Sequence, residues 1–287
     1  MIVLSTGSLY SYGLDRVFQL AKDAGFDGIE LIVDQRWDTR QPEYLRRLVS
    51  AFGLPILSVH SPFVQDLDGW EDDPILRVQR SLRLAHEVGA GLVVTHLPFR
   101  WHYLALSGSF LKSRRILPLP WPRSHSYERW LLERQGSDLP GDGVTLAVEN
   151  MPCRRTLGVR WNPYALNHPD EMLCFKALVL DTTHIGTWDL ALLAVYELLK
   201  TRLVHVHLSD YDGREHRLLG HGRLPLAELL SRMATDGYQG HIVVETGPQP
   251  LGAGSEKRVR RELEQAVVFC RENLQVGRLH IRVATGV

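Results

Sequence analysis

The chain has 287 residues, 44% of them hydrophobic and 23% charged, which is enough to bury a soluble core without disulfide or metal staples. Lys plus Arg and Asp plus Glu both number 33, and this zero formal balance argues against a protein that coats a nucleic acid backbone. The three cysteines, Cys153, Cys174 and Cys270, form no CxxC pair, no apolar run would span a bilayer, and the start Met1-Ile2-Val3-Leu4-Ser5 has no signal-like pattern, so a cytoplasmic protein without membrane insertion is expected.

In chain order, short runs of aliphatic and β-branched residues recur: 2–6, 28–33, 55–60, 91–96, 145–150, 177–182, 203–210 and 240–246. Near-continuous apolar runs of this length predict strands buried on both faces of a parallel sheet. Amphipathic stretches alternate with them. Leu14-Val17-Phe18-Leu20-Ala21-Ala24 ends at Gly25, and Ile75 to Val88 ends at Gly89, both glycines standing where a helix C-terminus asks for left-handed backbone. Alternating strand and helix leaves an open doubly wound sheet or a closed barrel. Eight such units, with no GxGxxG or GxxxxGK[ST] after the first strand, favour an α/β protein of the (β/α)8 barrel type, with one domain over 1–275 and a tail over 276–287.

The connection 97–143, between the fourth and fifth strands, is too long for an ordinary βα unit and reads as an insertion. Its basic, aromatic and proline-rich middle, Leu111 to Arg123, excludes a continuous helix. Following a strand's C-terminal end, it is expected over the barrel mouth.

Polar residues gather at the strand ends: Glu30 in the second, His60 closing the third, His96 the fourth and Glu149-Asn150 the fifth. The sixth ends Asp181-Thr182-Thr183-His184, the seventh His205-Val206-His207-Leu208-Ser209-Asp210, and the eighth Glu245-Thr246. In a parallel barrel these ends converge on one mouth. A carboxylate or imidazole closing an apolar run is costly to bury unless it is paired or holds a metal. Glu149, Asp181, His207 and Glu245 form an O₃N set suited to a divalent metal, with Mn, Co, Mg and Zn all open. His205 and His207 share a strand face, and His207 is chosen because it lies nearer the mouth.

These segments resemble the xylose isomerase-like barrel superfamily, which holds sugar-phosphate isomerases and epimerases and the endonuclease IV type of repair enzyme. The resemblance spans Ser5 to about Gly247 through Ala24-Gly25-Phe26-Asp27-Gly28-Ile29-Glu30, Val59-His60-Ser61-Pro62, Val94-Thr95-His96, Val148-Glu149-Asn150, Leu180-Asp181-Thr182-Thr183-His184, Val206-His207-Leu208-Ser209-Asp210 and Val244-Glu245-Thr246. In the epimerase branch it implies one metal on Glu149, Asp181, His207 and Glu245, proton transfer by the two glutamates, and substrate contacts from His184 and Arg214. In the endonuclease branch it implies a second metal site using His60, His96 and Glu149, and a third that needs a histidine matching His184 plus an Asp-x-His pair. That pair stands here as Arg214-Glu215-His216, with only His216 able to act as the further ligand. Gly220-His221-Gly222 also departs from the Gly-Glu-Gly common in relatives.

The resemblance therefore implies a metal-dependent sugar or sugar-phosphate isomerase or epimerase acting through an enediolate, with Glu149, Glu245, His184 and Arg214 catalytic and Asn150 orienting Glu149. The alternatives are a phosphodiesterase like the abasic-site endonucleases, with Arg114, Arg115, Arg154 and Arg155 on phosphate, a dehydratase, or a barrel that only binds. The expected partner is a small sugar or sugar phosphate rather than nucleic acid, and barrels of this kind often form homo-oligomers.

Overall fold

The computed structural model describes residues 1–63, 67–106, 115–122, 124–133, 143–156 and 158–285. In chain order its strands are β1 (Ile2–Ser5), β2 (Gly28–Ile32), β3 (Ile56–His60), β4 (Leu92–His96), β5 (Trp101–Leu106), β6 (Arg115–Pro122), β7 (Thr145–Glu149), β8 (Arg154–Thr156), β9 (Val159–Trp161), β10 (Leu178–Asp181), β11 (Leu203–Leu208) and β12 (His241–Val244). Eight of them close a parallel barrel in the order β1-β12-β11-β10-β7-β4-β3-β2, and these eight are the apolar runs expected to be strands. All residues of β1 and β2 are buried, as strands covered on both faces must be.

The outer helices bury one stripe each. Leu14, Val17, Phe18, Leu20 and Ala21 of helix Leu14–Ala24 face the barrel, each large side chain contributing about 1.5–3 kcal/mol of burial. The helix stops at Gly25, whose φ of 85° satisfies the left-handed end expected there. Helix Pro74–Val88 starts under Asp73, whose carboxylate accepts from the backbone N–H groups of Ile75 and Leu76, and stops at Gly89 with φ 76°. No helix among the described residues is long and apolar enough to cross a membrane.

The insertion holds an antiparallel hairpin, β5 with β6, and a helix, Ser126–Glu133. The prolines at 118, 120 and 122 are compatible with a two-stranded ribbon, where half of the N–H groups face away from the ladder. Arg114 lies outside the described residues. Tyr127 ties the returning helix to the barrel: its hydroxyl is 2.8 Å from Thr95 Oγ1 and donates to the carbonyl of His96 at 3.1 Å. The insertion's first residues are pinned to the segment after β7–β9, with Phe99 stacked on Tyr164 at 4.6 Å and Arg100 Nε donating to the Tyr164 carbonyl at 2.7 Å. Its root thus sits at the mouth. The last helix, Glu256–Thr285, continues through most of the segment read as a tail.

Candidate metal centre

Strand ends bring four side chains to one point. Glu149 closes β7, Asp181 closes β10, His207 is the penultimate pair position of β11, and Glu245 follows β12. Asp181 and His207 are registered partners on adjacent strands. His207 Nδ1 lies 3.0 Å from Glu149 Oε1, 3.1 Å from Glu245 Oε2 and 3.9 Å from Asp181 Oδ2. One ligand atom from each of the four falls within 4.8 Å of the others. Asp181 is fully buried, and its Oδ2 has no hydrogen-bond partner. Three carboxylates around one imidazole, with an orphaned buried oxygen, fit a divalent cation by donor chemistry.

The backbone around the quartet is fixed by side chains of the same motifs. Asp181 Oδ1 accepts from the His184 N–H at 2.9 Å and so caps helix Thr182–Trp188, leaving Oδ2 to the cluster. Asn150 does not orient Glu149 as the sequence suggested. Its amide bonds both backbone groups of Asp181, accepting from N–H at 2.7 Å and donating to the carbonyl at 3.1 Å, because the end of β7 lies beside β10 in the closed sheet. His184 places Nδ1 2.7 Å from the Asn150 carbonyl oxygen and 3.6 Å from Glu149 Oε1, so Nε2 is the nitrogen left for other contacts.

A second group of donors surrounds the other oxygen of Glu149. His60 Nε2 is 3.3 Å and His96 Nε2 3.1 Å from Glu149 Oε2. The two rings meet edge to face at 4.9 Å, and Phe63 stacks on His96 at 5.8 Å. Beneath His207 lies a further pair. Both His205 and His207 point into the barrel, and His205 Nε2 sits 2.7 Å from Glu30 Oε2 while His207 Nε2 is 3.1 Å from Glu30 Oε1. Glu30 and His205 were not among the expected site residues. The two-residue period of β11 already puts His205 on the face of His207, and for Glu30 the signal is a carboxylate inside the apolar run of β2.

Burial works against charge throughout the cluster, and the pairings decide the outcome. For Glu149, burial disfavours the ionised form, but His207 and the bonds from His60 and His96 outweigh it and hold the carboxyl well below its ordinary range. Glu245 goes the other way, raised by burial and by the nearby Asp181 and Glu149 carboxylates despite His207 and His216. Burial lowers His96, whereas His60, the less exposed of the two, is pushed down by burial but raised overall by its bond to Glu149 and the nearby carboxylates.

Two expected residues stand apart. His216 is in left-handed backbone, φ 56°, held by its N–H to Thr183 Oγ1 at 3.2 Å and its Nδ1 beside the Glu245 carbonyl at 3.1 Å. It touches the backbone of a cluster residue but is not one of the grouped metal-ligand candidates. Arg214 is exposed on the same loop, its N–H bonded to Asp212 Oδ1. Arg154 and Arg155 lie exposed on β8. The Gly-His-Gly segment has a local explanation at Gly222: a Cβ there would stand 2.6 Å from both Asp210 Cγ and the Tyr211 carbonyl oxygen, and Asp210 Oδ2 accepts the Gly222 N–H. His221 itself is exposed.

The family profile of the xylose isomerase-like TIM barrels matches residues 18–265. The chain belongs to that family. An uncharacterized protein of Mycobacterium tuberculosis is 28% identical over 299 residues, covering 97% of this chain and 96% of its own length. Among solved structures, a D-tagatose 3-epimerase-like protein aligns with TM-score 0.67 at 19% identity, over 98% of this chain and 99% of its own. An AP endonuclease of family 2 from Brucella melitensis aligns with TM-score 0.62 at 16% identity, over 86% and 93%. At such identities the likeness carries the fold.

Proposed function

We propose that this barrel is a divalent-metal-dependent isomerase or epimerase of a sugar or sugar phosphate, working through an enediolate of the substrate. The observation that carries the reading is the approach of Glu149 and Glu245 to one nitrogen of His207, at 3.0 and 3.1 Å, from strands separated by β10 and β11. Glu149, Asp181, His207 and Glu245 would hold the cation, with Mn, Co, Mg and Zn all compatible with the donors. Bound there, a divalent cation supplies Lewis-acid polarisation of a carbonyl and its neighbouring hydroxyl.

The protein's own groups do the rest. One glutamate accepts the proton from the carbon beside the carbonyl and the other returns it, which requires carboxylates on separate elements. His184, its Nδ1 occupied by the Asn150 carbonyl, offers Nε2 to a substrate oxygen. Arg214, exposed on the loop after β11, would hold a substrate hydroxyl or phosphate. The test is a screen of ketoses and their phosphates in D₂O, reading deuterium incorporation and epimer formation. Glu149→Gln and Glu245→Gln should each lower turnover by about 10²–10⁴-fold, the usual scale for general acid-base groups. Full turnover in both variants would sink the mechanism.

A second reading has an observation of its own. His60 and His96 approach Glu149 Oε2, the oxygen other than the one nearest His207 Nδ1, so these three residues would hold a second ion, and a metal pair supplies the chemistry of phosphodiester hydrolysis. Incubation with an abasic-site duplex under Zn²⁺, Mn²⁺ and Mg²⁺ decides it: no strand cutting removes this reading.

A further inference from the structure

Glu30 lies deeper in the barrel than the four candidate ligands, and none of its surface is exposed. It comes from the centre of β2, where the register against β3 shifts between Ile29 and Glu30, and its registered partners are Ser5 on β1 and Ser58 on β3. Irregularities of this kind re-aim side chains near functional sites. Three donors converge on Glu30 Oε2, Ser58 Oγ at 3.0 Å, His205 Nε2 at 2.7 Å and His207 Nε2 at 3.3 Å, and His207 Nε2 also stands 3.1 Å from Oε1.

His207 therefore meets carboxylates at both ring nitrogens, Nε2 against Glu30 and Nδ1 against Glu149, Glu245 and Asp181. A neutral imidazole carries one proton. With that proton on Nε2, Glu30 receives a hydrogen bond and the Nδ1 lone pair is aimed at the quartet. With the proton on Nδ1, a lone pair would confront the buried Glu30 carboxylate where no water can intervene, a contact that low dielectric makes costly. Ser58 and His205 meet the same oxygen, Oε2, that His207 Nε2 is hydrogen-bonded to, and Oε1, 3.1 Å from His207 Nε2, has no hydrogen-bond partner of its own, so the carboxylate keeps acceptor capacity for a His207 Nε2–H.

Resting on the metal-dependent reading above, we propose that Glu30 is a positioning residue, which fixes His207 as its Nε2–H tautomer and presents Nδ1 as the metal-binding atom. A carboxylate behind a ligating imidazole fixes its ring orientation and raises its basicity, and removal of such a partner weakens metal binding by about 10–100-fold. Glutamine at this place keeps the shape and one acceptor but loses the charge. The arrangement links two sequence signals that otherwise stand alone: the acidic residue inside the apolar run of β2, and the histidine two residues before His207. His205 supports the carboxylate that orients its neighbour, their rings 5.1 Å apart.

Two measurements test the assignment. Zn²⁺ and Mn²⁺ affinities of wild type, Glu30→Gln and Glu30→Asp are determined by competition against a chelator, and long-range ¹H–¹⁵N correlation on Zn²⁺-loaded wild type locates the His207 proton. The expected result is one ion in the wild type, about 10–100-fold weaker binding in Glu30→Gln, partial recovery in Glu30→Asp, and the proton on Nε2. Unchanged affinity in a folded Glu30→Gln, the result a merely structural role gives, overturns the inference while leaving the proposed function intact. So does a proton on Nδ1, which needs no variant to be observed. A wild type that takes up neither ion overturns the metal reading itself, and this inference with it.

Discussion

The two oxygens of Glu149 face different chemistry. On the Oε1 side, three carboxylates share one imidazole nitrogen and Asp181 Oδ2 is left without a donor. On the Oε2 side, two imidazoles serve a single carboxylate oxygen, and no orphaned atom is found among their described polar groups. Negative charge is in excess on the first side and matched on the second. The contrast teaches that the proposed cation belongs on the quartet side, because of the two sides of Glu149 it is this one that leaves a buried carboxylate oxygen, Asp181 Oδ2, unsatisfied among the described residues.

The sharpest way to break this contrast is Asp181→Asn. The amide can still accept from the His184 N–H and cap its helix, so the fold has reason to persist, while one negative charge leaves the crowded side. If the quartet holds a metal, wild type at a metal concentration of about 100 times Kd gains roughly 2.7 kcal/mol of stability over its chelated form. For a chain of this size that is a rise in Tm of roughly 4–5 °C. Asp181→Asn should lose most of that rise, and its metal-free Tm should stay at or above that of metal-free wild type, since like charges have been relieved. Calorimetric scans with and without EDTA read both effects. An undiminished metal-dependent rise would move the site elsewhere.

The quartet was legible in the sequence because parallel strands all end on one face: an acidic or histidine residue closing an apolar run has nowhere to go but the mouth. Glu149, Asp181, His207 and Glu245 meet for that reason. Depth inside the barrel was not legible. Whether Glu30 turns toward β11 depends on a register shift and on barrel closure, neither of which is written in the local pattern around Gly28-Ile29-Glu30. The hairpin β5–β6 was equally hidden, because its prolines exclude a helix without specifying the partner strand. Asn150 was assigned by adjacency in sequence to Glu149, whereas its amide bonds the neighbouring strand.

The matched side is probed by His60→Gln and His96→Gln. Each leaves a neutral polar group near Glu149 Oε2, so under the isomerase reading metal content stays at one ion per chain and metal affinity changes by less than about tenfold, below the upper range for loss of a partner to a ligand. Mass spectrometry of protein purified without chelator or metal resin measures the count. Two or more ions in wild type, falling to one in either variant, would reverse the contrast and favour the phosphodiesterase reading.

The smallest effect is expected farthest from both sides. Arg214 is exposed on the loop after β11, whereas its neighbour His216 is anchored to the Glu245 carbonyl and to Thr183. A guanidinium in that place can reach a substrate only from solvent, so its contribution is uniform binding rather than stabilisation of the enediolate. Arg214→Ala should therefore raise KM about three- to tenfold at unchanged kcat, the signature of a contact made equally in the ground and transition states. It should not alter metal affinity, because its N–H bond to Asp212 survives the substitution. A fall in kcat with KM constant would instead mean that the loop brings this arginine onto the reacting oxygens when substrate binds, and the contrast between a fixed quartet and an exposed rim would then not extend to the substrate complex.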